Sequence, residues 1–242
     1  MRLSIVIPIY NEVENLAALL DEVRQAAPVL GPVEVIFVDD GSDDDTVATL
    51  RPHLDPRGER GPVVRLLRHL RRSGQSAAVR TGVGAARAPW CAILDGDGQN
   101  DPADLSALLA VAEGDAGAPA LVGGIRTIRR DSLSKRLASW FANGLRQALL
   151  RDGAIDTGCG IKLFRRDAYL GLPFFGAQHR FLPALMRLSG HGVVYRPVNH
   201  RPRLKGASKY VNWRRGAVGL FDLLGVLWLK LRTPPPSETE EV

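Results

Sequence analysis

The sequence predicts an α/β protein: a Rossmann-like, mostly parallel sheet with helices on both faces, followed by a C-terminal amphipathic helix. Three observations carry this. Short β-branched runs alternate with apolar residues at helical spacing through the first half of the chain. Two of those runs end in clusters of Asp and Gly, as strands do when they open into a ligand crevice. The last apolar segment, Trp213 to Leu231, reads as one helix with basic ends.

In order, Leu3 to Ile9 is the first strand, with Leu16, Leu19, Leu20 and Val23 forming the apolar stripe of the following helix. Val33 to Val38 is the second strand, running into Asp39-Asp40-Gly41-Ser42, and a helix starts at Thr46. Val63 to Leu67 is the third, and Gln75 to Ala86 a helix reached through Ser73-Gly74. Trp90 to Leu94 is the fourth, ending in Asp95-Gly96-Asp97-Gly98-Gln99, with Asp101-Pro102 opening the next helix. The second half is less regular. It offers strands at Ala120–Gly123, Ile161–Phe164 and Val193–Tyr195 and a helix at Arg180–Leu188. Leu133, Leu137, Trp140, Phe141, Leu145 and Leu149 make a helical stripe. Residues 1–200 form one domain, 201–232 a basic loop and amphipathic helix, and 233–242 a Pro-rich, acidic, disordered tail.

Composition excludes several classes. With 242 residues, 45% hydrophobic and 24% charged, the chain is neither disordered nor collagen-like. Its two cysteines, Cys91 and Cys159, make no disulfide framework and no zinc pattern. The N-terminal apolar run is too short for a signal peptide, and no stretch reaches the roughly 18 apolar residues of a membrane span. The expectation is a peripheral protein on the cytoplasmic side. The net charge of +6 is local: from His200 to Arg232 eight Arg and Lys face the single acid Asp222. That block beside Leu, Val, Phe and Trp suits membrane phosphates better than nucleic acid.

Four constellations carry chemistry. Asp95 and Asp97, at i and i+2 in extended chain, point the same way, and hard oxygens of this kind suit Mg²⁺ or Mn²⁺ shared with substrate phosphates; a plain Asp-Gly turn is the bland alternative. Asp40, nearest its strand, can accept from a ribose or base, whereas Asp43, Asp44 and Asp45 suit helix capping. In Pro8-Ile9-Tyr10-Asn11-Glu12, Tyr10 can stack on a base and Glu12 reach its polar edge, or Asn11 simply caps the helix. Arg203 to Tyr210 places three cations and Ser208 around Gly206, as a phosphate-gripping loop requires. No Walker loop, dinucleotide fingerprint or nucleophile elbow is present.

These motifs in this order resemble the family two glycosyltransferases of GT-A fold, and most closely the polyprenyl-phosphate branch typified by dolichol-phosphate mannose synthase. P-x-Y-N-E is Pro8 to Glu12, D-D-G-S is Asp39 to Ser42, G-Q-x-x-A is Gly74 to Ala78, and D-x-D-x-Q is Asp95 to Gln99. G-x-R is Gly124 to Arg126, K-R-x-x-S is Lys135 to Ser139, and R-x-x-G-x-S-K-Y is Arg203 to Tyr210. The resemblance implies that Asp95, Asp97 and Gln99 hold Mg²⁺ or Mn²⁺ and the sugar-nucleotide diphosphate, with Asp97, Arg126 and Arg203 at the reacting centre. It implies that Pro8, Tyr10, Asn11, Glu12, Asp39, Asp40, Gly41, Ser42, Gly74 and Gln75 line the donor pocket with Asp95. Arg126, Arg136, Arg203, Ser208 and Lys209 would meet the donor diphosphate and the acceptor phosphate.

The implied reaction moves a hexose from GDP-mannose or a UDP-sugar to a polyprenyl phosphate, with inversion, at the inner face of the plasma membrane. Segment 201–232 would make the membrane contact. The transmembrane helices that some relatives carry are not in this sequence. A phosphomonoester acceptor, with a second pKa of about 6, is already an anionic nucleophile and needs no general base. No isolated Asp, Glu or His stands out as such a base. Two other readings stay open: a family two enzyme acting on a glycan or soluble acceptor, and a non-catalytic sugar-nucleotide-binding partner. The sugar, the choice of metal and the oligomeric state are also open.

Overall fold

The computed structural model describes residues 1–59, 61–114, 118–127, 144–201 and 212–234, without the side chains of 212–217. Seven strands, β1 (Leu3–Ile9), β2 (Val33–Asp39), β3 (Val63–Arg68), β4 (Trp90–Ile93), β5 (Leu121–Arg126), β6 (Lys162–Arg165) and β7 (Val193–Val198), form one sheet in the order β3-β2-β1-β4-β6-β5-β7. The helices are α1 (Leu16–Leu30), α2 (Thr46–Leu50), α3 (Gln75–Ala85), α4 (Leu105–Ala112), α5 (144–150), α6 (Arg166–Leu170), α7 (Gln178–Leu188) and α8 (Asn212–Arg232).

Period-two alternation in β1 explains the two layers. Leu3, Ile5 and Ile7 pack with Leu16, Leu19 and Leu20 of α1 and Leu105 and Leu108 of α4. Val6, between them in sequence, joins Ile36 and Val38 on the other face, with Val79 of α3, Leu182 and Leu185 of α7, and Leu223 and Val226 of α8. A sheet buried on both faces therefore reads as nearly continuous apolar strands.

Direction matters most for the site. Pairing is parallel for β1 with β2 and β4, for β2 with β3, and for β5 with β7. Strand β6 alone runs antiparallel, to both β4 and β5. Six strands thus end at one edge of the sheet, and β6 begins there.

Several expectations need correction. Strand β5 runs on to Arg126 because its ladder with β7 continues from Leu121↔Val193 to Arg126↔Val198, so Arg126 is the strand's last residue. Asn11 does not cap α1. Asn15 holds that position, and Asn11 sits in a left-handed turn at φ 54°, a conformation Asn tolerates better than most residues. Asp45 stands at the N-cap of α2 without a side-chain cap bond, whereas Asp44 Oδ1 accepts from the Thr46 N–H at 3.0 Å. Of the stripe expected from Leu133 to Leu149, Leu145 and Leu149 lie in α5, and the rest fall outside the described residues. The tail from 235 onward does as well.

Candidate active site

The edge where the parallel strands end has two halves. On one side the turns after β1, β2 and β3 lock together through short polar bonds. The Asn11 N–H donates to Ser42 Oγ at 2.9 Å, the Glu12 N–H to Thr46 Oγ1 at 3.1 Å, and the Ser42 N–H to Asp39 Oδ1 at 3.0 Å. Asp39 also pairs with Arg68 at 3.1 Å. Asp40 reaches across to the loop after β3. Its Oδ1 accepts from the Ser73 N–H at 2.8 Å and its Oδ2 from the Gly74 N–H at 2.7 Å, while His69 Nδ1 lies 2.9 Å from Oδ1. Gly74 is at φ 93°, a region that favours glycine, and this lets the loop turn straight into α3. The loop also carries Arg72, whose Cζ lies 4.1 Å from the centre of the Tyr10 ring. The expected nucleoside-pocket residues are therefore neighbours, and Asp39, Asp40 and Ser42 brace the walls.

On the other side, β4 runs out into the Asp95–Gln99 turn. Gln75, at the start of α3, donates its Nε2 to Asp95 Oδ1 at 2.9 Å. The Asp95 N–H donates to Oδ1 of buried Asn100 at 3.1 Å. The Gln99 N–H donates to Asp97 Oδ1 at 3.2 Å. The Gln99 side chain turns toward the chain that leaves β7, where Nε2 donates to the Arg201 carbonyl at 3.3 Å. The Arg201 N–H returns a bond to the Gln99 carbonyl at 3.0 Å. Arg201 is pinned further by Glu22 at 2.6 Å and Asp101 at 2.7 Å. The basic loop therefore departs from a residue bonded directly to the Asp-x-Asp-x-Gln turn. Arg203, Ser208, Lys209 and, earlier in the chain, Arg136 lie outside the described residues.

Two residues that stood out in no sequence pattern complete this half. Asp156 clamps Arg126: Nε meets Oδ2 at 2.7 Å, Nη2 meets Oδ1 at 2.8 Å, and the Arg126 N–H reaches Oδ2 at 3.2 Å. Asp156 is buried, and the two-pronged pair fixes the guanidinium plane. Lys162, the first residue of β6, is buried and donates to the Cys159 carbonyl. Burial holds its ammonium below the usual lysine range, opposed by the nearby carboxylates of Asp95 and Asp156. Burial pushes the Cys159 thiol up, and the Cys91 thiol, inside β4, up to about 12.

The donor set can be judged against a divalent ion. Among the described residues no group of three or more His, Cys, Asp and Glu can hold a metal. Asp95 and Asp97 supply hard oxygens at one turn, which suits an Mg²⁺ or Mn²⁺ ion completed by substrate phosphates and water rather than an all-protein cage. The residues fit such a shared ion.

The model of "Glycosyl transferase family 2" matches residues 4–171. Dodecaprenyl-phosphate galacturonate synthase of Rhizobium johnstonii is 34% identical over 233 residues, covering 94% of this chain and 67% of its own. Undecaprenyl-phosphate 4-deoxy-4-formamido-L-arabinose transferase of Edwardsiella ictaluri is 33% identical, covering 96% of this chain and 68% of its own. The chain thus spans about two thirds of the length of these relatives. Glucosyl-3-phosphoglycerate synthase of Mycobacterium tuberculosis, solved with Mn²⁺, UDP-glucose and phosphoglyceric acid, superposes with a TM-score of 0.74 at 18% identity. It covers 96% of this chain and 80% of its own, and establishes the GT-A fold. The chain belongs to glycosyl transferase family 2.

Proposed function

We propose that this glycosyltransferase moves a hexose from a nucleotide sugar, GDP-mannose or a UDP-sugar, to a polyprenyl phosphate at the inner face of the plasma membrane. One observation carries the reading. The Asp95–Gln99 turn, the clamped Arg126 and the start of the basic segment at Arg201 all meet at one sheet edge. The relatives that act on dodecaprenyl and undecaprenyl phosphate support the acceptor.

Asp95 and Asp97, with Gln99 beside them, are the residues to hold Mg²⁺ or Mn²⁺, which when bound supplies Lewis-acid stabilisation to the departing diphosphate. Tyr10 offers an aromatic face for the base, and Pro8, Asn11, Glu12, Asp39, Asp40, Gly41, Ser42, Gly74 and Gln75 form the surrounding walls. Arg126, held in one orientation by Asp156, meets developing negative charge without reorganising. Arg136, Arg203, Ser208 and Lys209 bind the acceptor phosphate, whose anionic oxygen attacks the anomeric carbon in line, with inversion. That oxygen needs no base, and Asp156 is committed to Arg126.

Helix α8 supports a membrane location. Leu220, Phe221, Leu224, Trp228 and Leu231 are exposed along one face, while Leu223 and Val226 are buried on the other. An uncovered apolar stripe of this kind marks an interaction surface. Lys230 is not a free flanking cation. Its Nζ donates to the Leu150 carbonyl at 2.6 Å and so anchors α8 to the end of α5. Among the described residues no helix is long and apolar enough to cross a membrane.

The test incubates the protein with Mn²⁺, a panel of labelled GDP- and UDP-sugars, and undecaprenyl phosphate in vesicles. Label is expected in the lipid phase for one donor. Label that reaches only soluble saccharides or small phosphorylated acceptors would contradict the reading.

A further inference from the structure

The turn Gly158-Cys159-Gly160 delivers the chain into β6 between the two charged groups of the site. At Gly160 a Cβ would lie 2.0 Å from Asp95 Oδ2, 2.6 Å from Asp95 Cγ and 2.7 Å from Asn100 Oδ1. At Gly158 it would lie 3.0 Å from Arg126 Nη2. Neither glycine has positive φ, so contact rather than backbone conformation demands the missing side chain. The turn is held from beneath: the Cys159 N–H donates to the Asp156 carbonyl at 3.3 Å, and the Cys159 carbonyl accepts from buried Lys162. The other Asp95 oxygen, Oδ1, is held by Gln75.

We propose that Gly160 is a positioning residue: its bare Cα seats the Asp95 carboxylate against the turn, with Gln75 opposite, so that a divalent ion meets Asp95 in one fixed orientation. The inference rests on Asp95 being a metal ligand. It adds that β6, through its first turn, sets the geometry of that ligand.

The test uses the full chain as wild type, Gly160→Ala, Asp95→Ala and the double variant, read by metal-free thermal midpoint and by titration with Mn²⁺ in the presence of GDP or UDP. Gly160→Ala is expected to lower the midpoint in the wild-type background and to lower it less once Asp95 is shortened, because the methyl then meets only Asn100 Oδ1, 2.7 Å away. Folded Gly160→Ala is expected to lose Mn²⁺ affinity by about tenfold or more, as when groups orienting a ligand are altered. Equal destabilisation in both backgrounds, or unchanged Mn²⁺ affinity, would overturn the proposal. Should Gly160→Ala fail to fold, exposed Gln75→Leu replaces it. A several-fold weaker Mn²⁺ response there upholds the seating of Asp95, and an unchanged one overturns it. Wild-type protein that binds no Mn²⁺ even with GDP or UDP present sinks the metal reading as well as the proposal. Wild-type binding with no effect of the variants sinks the proposal alone.

Discussion

The two halves of the sheet edge use acidic residues for different ends. Around β1, β2 and β3 the carboxylates of Asp39 and Asp40 are tied to the backbone N–H groups of Ser42, Ser73 and Gly74 and to the side chains of Arg68 and His69 from the end of β3 and just after it. Such bonds fix loops and leave a wall fit for an uncharged ring. Around β4, β5 and β6 the carboxylates meet cations, an amide and bare glycine Cα atoms: Asp156 on Arg126, and Asp95 between Gln75 and Gly160. That half is arranged for charge. A donor with a neutral base at one end and a diphosphate at the other matches this division.

The division is tested most strongly at its charged half. Asp97→Ala should lower sugar transfer by about 10²- to 10³-fold, the scale of removing one key stabilising group, with the thermal midpoint of the metal-free protein nearly unchanged. Undiminished turnover would move the metal elsewhere. Asp156→Ala comes next, since it leaves Arg126 without its clamp. Breaking a fully buried pair costs about 3–5 kcal/mol, and the partial exposure of Arg126 brings the expected loss to about 2 kcal/mol, measured by urea unfolding. Phe221→Glu and Trp228→Glu on α8 should each weaken binding to anionic vesicles by about tenfold or more, the worth of one large apolar side chain. Circular dichroism should not change, because both residues point away from the core. The smallest effect belongs to the half around β1, β2 and β3. Arg72→Ala should weaken nucleoside diphosphate binding by about two- to fivefold, the worth of an exposed cation–aromatic contact, as read by calorimetry.

The same division explains which parts could be read in advance. Strands β1 and β2 announce themselves because parallel strands buried on both faces are rich in β-branched and other apolar residues, and the polar carboxyl ends of β2 and β4 mark the crevice. Asp40 and Asp95 were visible on that logic. Asp156, Gly160 and Lys162 were not, since they stand at the amino end of β6, and only its antiparallel direction brings that end to the same edge. An Asp-x-Gly-x-Gly run just before a strand was the available signal, and it carries meaning only when strand direction is known. Asn11 is ambiguous in the sequence for a local reason: Asn suits both a helix cap and a left-handed turn, and its bonds with Asp43 select the turn. The basic end of α8 likewise looks solvated in the sequence until the carbonyls at the end of α5 are placed next to Lys230.

The most direct test is anomalous diffraction from crystals grown with Mn²⁺ and a nucleoside diphosphate. The account places the manganese peak on the Asp95 and Asp97 carboxylates, at about 2.0–2.2 Å as for other small hard cations, with the diphosphate on the ion and the base against Tyr10. A manganese peak away from both aspartates, or a nucleotide bound outside the crevice between β1 and β4, would contradict it.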